Sequence, residues 1–401
     1  MIVGIVGGGA SGMAAALAAS KNANVQVRLY ERQARVGKKL MATGNGRCNL
    51  SNCGAELSHY HGEEPDFVVP ALQQVDLLVT RAWFHELGLY VVAEPETGKV
   101  YPYSDQANSV VDVLRLGLEK ENITVLTGVE VQKIRREGAG FLINDTDYCD
   151  RLIIACGGLA GTKLGGSMSG YKLLAKFGHK STRLRPSLVQ LKCAWPGVTA
   201  LKGVRCECHI KIFCNGEKYA SSGGELQFTD YGLSGPVIFE ISRDVCQGSG
   251  EWTAKLDLMT RLLRDDLEKE LIRRKNKNLP MEELFTGMLH NRLGRVLTKA
   301  AGISGKMTGE LTDNQIQDLV KTVKEFEIVL TEPMGMDQAQ VTAGGVYTRD
   351  FDPNTMESKL VPGLYACGEV LDIDGDCGGY NLQWAWSSGI VAGRNAGKET
   401  V

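Results

Sequence analysis

Several features that would assign this chain at a glance are missing from its 401 residues. No apolar run reaches the ~18–20 residues that cross a bilayer, which excludes a helical membrane protein. No long basic stretch is present either. Lys+Arg (45) and Asp+Glu (47) nearly cancel to a net charge of -2, so attraction to a phosphate backbone is not expected to be its main business. The most basic segment, IRRKNKN at 272–278, lies beside acidic residues in a helical pattern and reads as a solvated face. The opening MIVGIVGGG has no basic region followed by a cleavable apolar one, and a cytoplasmic protein is the expectation. Among 11 cysteines there is no C-x-x-C pair, which argues against a dithiol redox couple or a zinc knuckle and for reduced, buried thiols. His59 and His61 have no third metal ligand near them in sequence and read as a surface loop. The alternating aspartates of LDIDGD (371–376) begin like a calcium loop, but Gln383 stands where the closing glutamate belongs, so no metal site is expected.

What is present is concentrated at the two ends. IVGIV (2–6) is a short apolar strand, followed by Gly7-Gly8-Gly9-Ala10-Ser11-Gly12, the helical MAAALAAS (13–20) and a second strand, VQVRLYE (25–31). This is G-x-G-x-x-G in the setting that gives it meaning: strand, tight turn, helix, strand, acidic residue. Gly7 permits the turn, Gly9 lets a pyrophosphate approach the backbone, and Gly12 lets the helix pack against the strand. The helix N-terminus then offers unpaired N–H groups and partial positive charge to the phosphates. Glu31, 19 residues beyond Gly12, is placed to accept hydrogen bonds from an adenosine ribose.

Near the other end, GLYACGE (363–369) is a strand running into a Gly-Glu turn, and GGYNLQWAWSSGIVAG opens a helix near Gly379. The N–H groups of that helix could face an electron-rich group such as the N1–C2=O edge of a flavin; an ordinary helix packed on a sheet would look the same. Between the ends, residues 123–145 read as short strands and RLIIACGG (151–158) as a buried strand returning to the sheet.

The stretches GGGASGMAAA, GKKLMATGNGRCNLSN, GKVYPYSDQANSVVDVL, ACGGLAG, GYKLLAKFGHKSTRLRPSLVQL, ELQFTDYGLSGPVI, VTAGGV and ACGEVLDIDGDCGGYNLQWAWSSG span almost the whole chain. On them it resembles the three-domain bacterial flavoproteins of the BaiN/YhiN type, the NAD(P)/FAD-dependent oxidoreductases. The resemblance implies an α/β fold with a glutathione-reductase-type FAD-binding Rossmann domain, an inserted antiparallel β domain and a helical subdomain. It implies FAD on Gly7, Gly9, Ala10, Ser11 and Gly12 through the pyrophosphate, on Glu31 through the ribose, and on the backbone of Val131 through the adenine, with Arg32 also among the cofactor-binding residues. Lys39, Thr43, Arg47, Ala155 and Gly157 would lie along the cofactor; Gly368, Glu369, Gly379, Asn381 and Leu382 would meet the ribityl chain and ring. The polar loop LMATGNGRCNLSN (40–52) is then the segment folded against the flavin. One departure is visible: LAGTKLGGSMSG follows ACGG where a Ser-Tyr-Pro-like segment would be expected, which bears on the shape of the adjoining pocket wall.

The implied organisation is a discontinuous FAD domain, 1–190 with 335–401, a β-rich insert at 191–258 and a helical one at 259–334. The insert's alternating, glycine-punctuated first part reads as an antiparallel sheet or small barrel, and a pocket where domains meet is the default place for a substrate. The chemistry is less determined. There is no second G-x-G-x-x-G, so NADH or NADPH would visit transiently as electron donor. The preferred reading is reduction of a small organic acceptor, an enone or steroid-like alkene. An FAD-dependent amine oxidase using oxygen is the alternative, since the resemblance covers both activities, and a non-catalytic flavin-binding redox sensor is a third. Arg47 and Asn45 are the catalytic candidates, with fixing the loop as their other role. Cys48 reads as structural, and Tyr101 and Tyr103 as either pocket lining or packing beside Pro102. The expected partner is a small-molecule substrate, with no nucleic acid or membrane, for a monomer or homodimer.

Overall fold

The computed structural model describes residues 1–398, so the very end of the expected 335–401 segment lies outside the described residues. The chain divides into two compact units, one formed by 1–185 with the segment from Ala339 on, the other by Pro186–Gln338.

The first unit is built on five parallel strands. Strands β1 (Ile2–Val6), β2 (Gln26–Glu31), β3 (Ile123–Thr127), β4 (Arg151–Ile154) and β5 (Leu364–Ala366) lie in the order β5-β4-β1-β2-β3. Their central residues, among them Val3, Ile5, Leu29, Ile153 and Leu364, are fully buried, as a parallel sheet covered on both faces requires. Parallel pairing sets Val6 beside Ile154 and Tyr30, and Ile154 beside Ala366. The carboxyl ends of strands from both ends of the chain therefore meet, which is where open α/β sheets bind ligands.

Two helices occupy that meeting point. Helix α1 runs Ala10–Ala19, starting three residues earlier than expected because Ala10, Ser11 and Gly12 already follow the helix that Gly9 caps. It is alanine-rich and buried nearly all round, the pattern of a helix enclosed by its neighbours. Helix α2 (Tyr380–Ala396) crosses it closely. A Cβ on Gly389 would collide with the Ser11 carbonyl, and one on Gly393 with that of Ala15. The first turns of α2 are pinned by Gln383, fully buried, whose Oε1 accepts from Ser51 Oγ (2.6 Å) and whose Nε2 donates to Thr80 Oγ1 (2.9 Å) and the Val75 carbonyl (3.1 Å).

The second unit is a closed six-stranded barrel with helices in the same compact body. Its strands are Leu191–Cys193, Arg205–Cys214, Glu217–Phe228, Gly232–Ser234, Trp252–Asp257 and Phe326–Pro333. The last corrects the sequence reading, which carries the helical segment through 326–334. FEIVLTEP alternates buried and exposed residues along its first six positions, the period of a strand with one face inward. A helix at Pro236–Gln247, opened by proline in its first turn, also falls inside the segment read as sheet. The helices Arg264–Lys275, Asn291–Ala300 and Asp313–Lys324 stand where they are expected. Thr312 and Gln315 cap the last reciprocally.

Candidate functional site

The three glycines at the opening of α1 do three different things. Gly7 turns the chain at φ +112°, a conformation that disfavours a side chain, and donates its N–H to the Tyr30 carbonyl (2.8 Å). A Cβ on Gly7 would strike Ala155, and one on Gly12 would strike the Gly7 carbonyl. Gly9 differs, since a Cβ there would meet nothing within 4 Å. The N-terminus of α1 therefore faces open space, with no side chain capping it and no acidic residue in its first turn. Uncapped N–H groups with no carboxylate among them fit an anion.

Beside this opening lies a cleft open to solvent, lined by Gly7, Glu31, Arg32, Val131, Cys156 and Ser167 among others. Glu31 is held at its edge, Oε2 accepting from Gly8 N (2.8 Å) and Oε1 from Gln33 N (2.7 Å). Arg32 donates to the Gly165 carbonyl (2.8 Å), so the guanidinium braces the wall that the departing segment 159–170 provides. Gly165, Ser167 and Ser169 of that segment line the cleft, and Gly157, at φ +68°, also faces open space. Cys156 keeps its proton, since burial pushes its thiol up to about 12.

One buried polar atom here has no partner. The hydroxyl of Tyr171, on the short helix Ser169–Ala175, is unsatisfied although the residue is only 3 % exposed. Burial first, then the nearby Glu369, raises its pKa. An orphaned hydroxyl costs about 1–3 kcal/mol unless something accepts from it. Such a group suits a ligand oxygen, and the sequence reading did not single it out. Its only signal is a lone large aromatic after a run of glycines and serines.

The loop 40–52 winds through left-handed residues at Gly44 and Asn45 (φ 57° and 56°) and at Cys48 (φ 62°). Two of its hydrogen bonds close the turn on itself: Thr43 Oγ1 donates to the Leu40 carbonyl (2.7 Å) and Cys48 N to that of Thr43 (3.0 Å). Arg47 ties the loop to its surroundings. Nε pairs with Asp105 (2.6 Å), an Nη with Glu94 (3.0 Å), and the guanidinium lies 3.9 Å over the Tyr101 ring. Cys48 is fully buried, its thiol pushed up to about 12 by that burial, and so cannot act as a thiolate. Tyr101 is buried beneath Arg47, whereas Tyr103 is exposed. Lys39 reaches across to Glu369 (2.8 Å), whose other oxygen accepts from Thr342 N (2.9 Å).

From the far end of the chain, Gly368 brings β5 against α1. A Cβ on it would crowd Ser11. Its N–H donates to Ser388 Oγ (3.0 Å) and its carbonyl accepts from Trp384 Nε1 (3.2 Å), so its polar groups are spent inside the fold. Gly379 caps α2 in the left-handed region, φ +102°, again with no side-chain cap and no acidic first turn. The side chain of Asn381 braces the preceding loop through Gly375 N (2.8 Å) and the Gly375 carbonyl (2.7 Å), while Leu382 is partly exposed.

That loop holds a feature the sequence reading missed. Asp376 lies between His59 and His61. His59 Nδ1 is 3.0 Å from one carboxylate oxygen and His61 Nε2 is 2.7 Å from the other. The His59 ring stacks on Tyr380, the first residue of α2, with centroids 4.2 Å apart. Burial acts to raise the Asp376 pKa, but the two imidazole hydrogen bonds win and hold it below the usual carboxylate range. Placed 315 and 317 residues apart in the chain, these groups have no local signature.

Residues 1–395 match the family model described as the HI0933-like protein Rossmann domain. The chain is 38 % identical over 404 residues to the 3-dehydro-bile acid delta(4,6)-reductase of Clostridium scindens, covering 98 % of each. It is 32 % identical over 398 residues to the ribosomal RNA dihydrouridine synthase of Escherichia coli, covering 96 % of this chain and 95 % of that one. In fold it resembles the 3-ketosteroid delta1-dehydrogenase of Sterolibacterium denitrificans, with a TM-score of 0.50, 11 % identity and coverage of 98 % and 99 %. The chain belongs to the HI0933-like Rossmann-domain family.

Proposed function

We propose that the protein is an NAD(P)H-dependent FAD enzyme that saturates a carbon–carbon double bond conjugated to a carbonyl in a small, steroid-like molecule. The observation that carries the FAD reading is the uncapped start of α1 at Gly9, facing open space beside the cleft that Glu31 and Val131 line. The reaction class is supported by chemistry common to two relatives. A 3-dehydro-bile acid delta(4,6)-reductase and a dihydrouridine synthase are both named for products in which a double bond conjugated to a carbonyl has become saturated.

When bound, FAD supplies hydride transfer. The chain's part is to hold and to polarise. The N–H groups at Gly9, Ala10 and Ser11 would hold the diphosphate, and Glu31, fixed by Gly8 and Gln33, would accept from the ribose. The Tyr171 hydroxyl and the Lys39–Glu369 pair would serve the chain of hydroxyls between the two ends, and the α2 N-terminus at Gly379 and Asn381 would favour negative charge. In this reading Arg47 and Asn45 shape the loop instead of reacting, because the guanidinium is already committed to Glu94 and Asp105.

The reading is tested by anaerobic stopped-flow absorbance of the yellow protein. NADH or NADPH is expected to bleach it, and a 3-keto-4-ene steroid or cyclohex-2-enone to restore the colour faster than oxygen does. No bleaching by either nicotinamide, or recolouring only by oxygen with release of peroxide, would overturn it. Recolouring by a uridine-containing ribosomal RNA fragment but by no enone would replace the substrate class.

Arg47→Ala is expected to weaken flavin binding by a few fold to tenfold, read as fluorescence of released flavin. Its ion pairs are half exposed and screened, so the loss is of loop order and of packing over Tyr101, and the protein should still melt cooperatively.

A further inference from the structure

Saturating a double bond conjugated to a carbonyl takes a hydride at one carbon and a proton at its neighbour. The hydride comes with the cofactor; the proton must come from a group that holds one near neutral pH and can be recharged from solvent. The loop-forming Arg47 is committed to two carboxylates, and Cys48 is sealed from solvent. Of the six histidines in the sequence, His209 and His290 belong to the barrel unit. His179 is fully enclosed against Phe351 and Ser358, and His85 meets Tyr90 edge-on at the end of its own helix, on a different element from the α2 opening. The remaining two converge on Asp376 at the opening of α2.

We propose that His59, His61 and Asp376 form the proton reserve of the reductive reaction, a proposal that rests on the enone-reductase reading. Three observations fit this role. Each imidazole takes a separate carboxylate oxygen at 3.0 and 2.7 Å, direct hydrogen-bond distances that leave no place for a metal ion between them. One carboxylate faces two imidazoles, so a positive charge on either ring lies directly against an opposite charge. The side chains of His59 and His61 are 36 % and 31 % exposed, so water can recharge them while Asp376 holds their orientation. The cluster is also well braced. Asp376 N donates to the His59 carbonyl (3.0 Å), His61 pairs in register with Asp374, and His59 lies flat on Tyr380.

Other ionisable groups on the packed elements do not compete. Asp372 receives Glu63 N (3.1 Å), Glu64 accepts from Thr348 (3.2 Å), Asp374 is fully buried, and Tyr60 donates to the Tyr380 carbonyl (3.1 Å). In the step itself, the double bond gains a hydride at one carbon and a proton from an imidazolium at the other. The imidazolium becomes neutral imidazole and regains its proton from water. Asp376 is a positioning residue, acting through the two rings.

The test uses holoprotein with His59→Gln and His61→Gln combined, Asp376→Asn, and His85→Gln as a control away from the cluster. After anaerobic bleaching by a nicotinamide, recolouring by cyclohex-2-enone is followed across pH. In the unaltered protein the rate is expected to fall as pH rises through the range where imidazoles lose their proton, because the donor is the charged form. The double variant is expected to recolour about a hundredfold more slowly or worse, with that pH dependence gone. Asp376→Asn should shift the profile and keep part of the rate. A second readout needs no substrate: the flavin's midpoint potential against pH should show a break in slope that the double variant lacks and His85→Gln keeps. An unaltered protein that recolours with the enone but shows no imidazole limb and no break would overturn the proposal, even if the variants fail to fold. So would a double variant that keeps its rate and profile. If the unaltered protein is never recoloured by an enone, the enone-reductase reading itself falls and takes this proposal with it.

Discussion

Gly9→Val is expected to yield a folded, colourless protein. Open space lies where the first side-chain carbon would stand, so that carbon meets no steric resistance from the chain. The same branched side chain would occupy the position through which a diphosphate must approach the α1 N-terminus. Losing two charge-assisted hydrogen bonds at about 1.5–3 kcal/mol each corresponds to a fall in flavin affinity of roughly a hundredfold to ten-thousandfold. The fair reference for stability is unaltered protein stripped of flavin, because bound ligand stabilises by mass action. Against that reference the midpoint of thermal unfolding should move by no more than about 2 °C. Gly12→Val makes the contrast. Its Cβ would collide with the Gly7 carbonyl and crowd Ala155, so the β1–α1 turn itself must shift, and a large fall in unfolding temperature is expected even without flavin. Absorbance at the flavin band together with a thermal melt separates the two. A yellow Gly9→Val protein would mean that the cofactor does not cross this helix start.

These two glycines also show how far the sequence could be read. G-x-G-x-x-G between a strand and a helix, with Glu31 at the end of the next strand, is a local pattern. Its strand, turn, helix and Glu31 all lie within about thirty residues, and the observed elements follow it closely. The barrel was legible as alternation over 191–258, but its closing strand Phe326–Pro333 was not. That strand follows the helix Asp313–Lys324 with only Glu325 between them, so helical and strand periodicities run together without a glycine or proline to separate them. The helix Pro236–Gln247 was hidden for the opposite reason, flanked on both sides by strand-like residues. The orphaned Tyr171 hydroxyl and the Asp376 cluster were illegible on different grounds. A buried hydroxyl without a partner exists only once the fold has closed around it, and two imidazoles on one carboxylate only once segments more than 300 residues apart have been brought together. Asn381 was read as a cofactor residue, and the structure adds that its side chain ties down the loop that carries Asp376. Sequence motifs mark where backbone must be unusual; they say little about which side chains then meet.

The crossing of α1 and α2 turns that long-range assembly into a second strong prediction, Gly393→Leu. Gly393 packs its bare Cα face against the backbone of Ala15 in the middle of α1, and Gly389 does the same at Ser11 one turn nearer the site. A leucine at 393 has no void to enter, since Ala14, Ala15, Ala16, Val391 and Ala392 are all fully buried. The helices must separate or the chain must forgo the contact. Overpacking of this kind costs about 1–3 kcal/mol and occasionally more, and a backbone-on-backbone clash belongs at the upper end. The change is remote from any residue proposed to touch the flavin, yet it should still reduce flavin content. Moving α1 shifts the N–H groups at Gly9 and Ala10, while the separated α2 carries Ser388, Trp384 and therefore Gly368 with it. The expected result is a lower denaturation midpoint together with flavin affinity reduced at least tenfold, both partly restored at low temperature. Gly393→Ala should do the same to a smaller extent, because even one methyl group meets the Ala15 carbonyl. If Gly393→Leu lowered stability but left flavin affinity intact, the two ends of the chain would be packed together without being mechanically linked at the site. If it lowered neither, α1 and α2 would not cross at this distance.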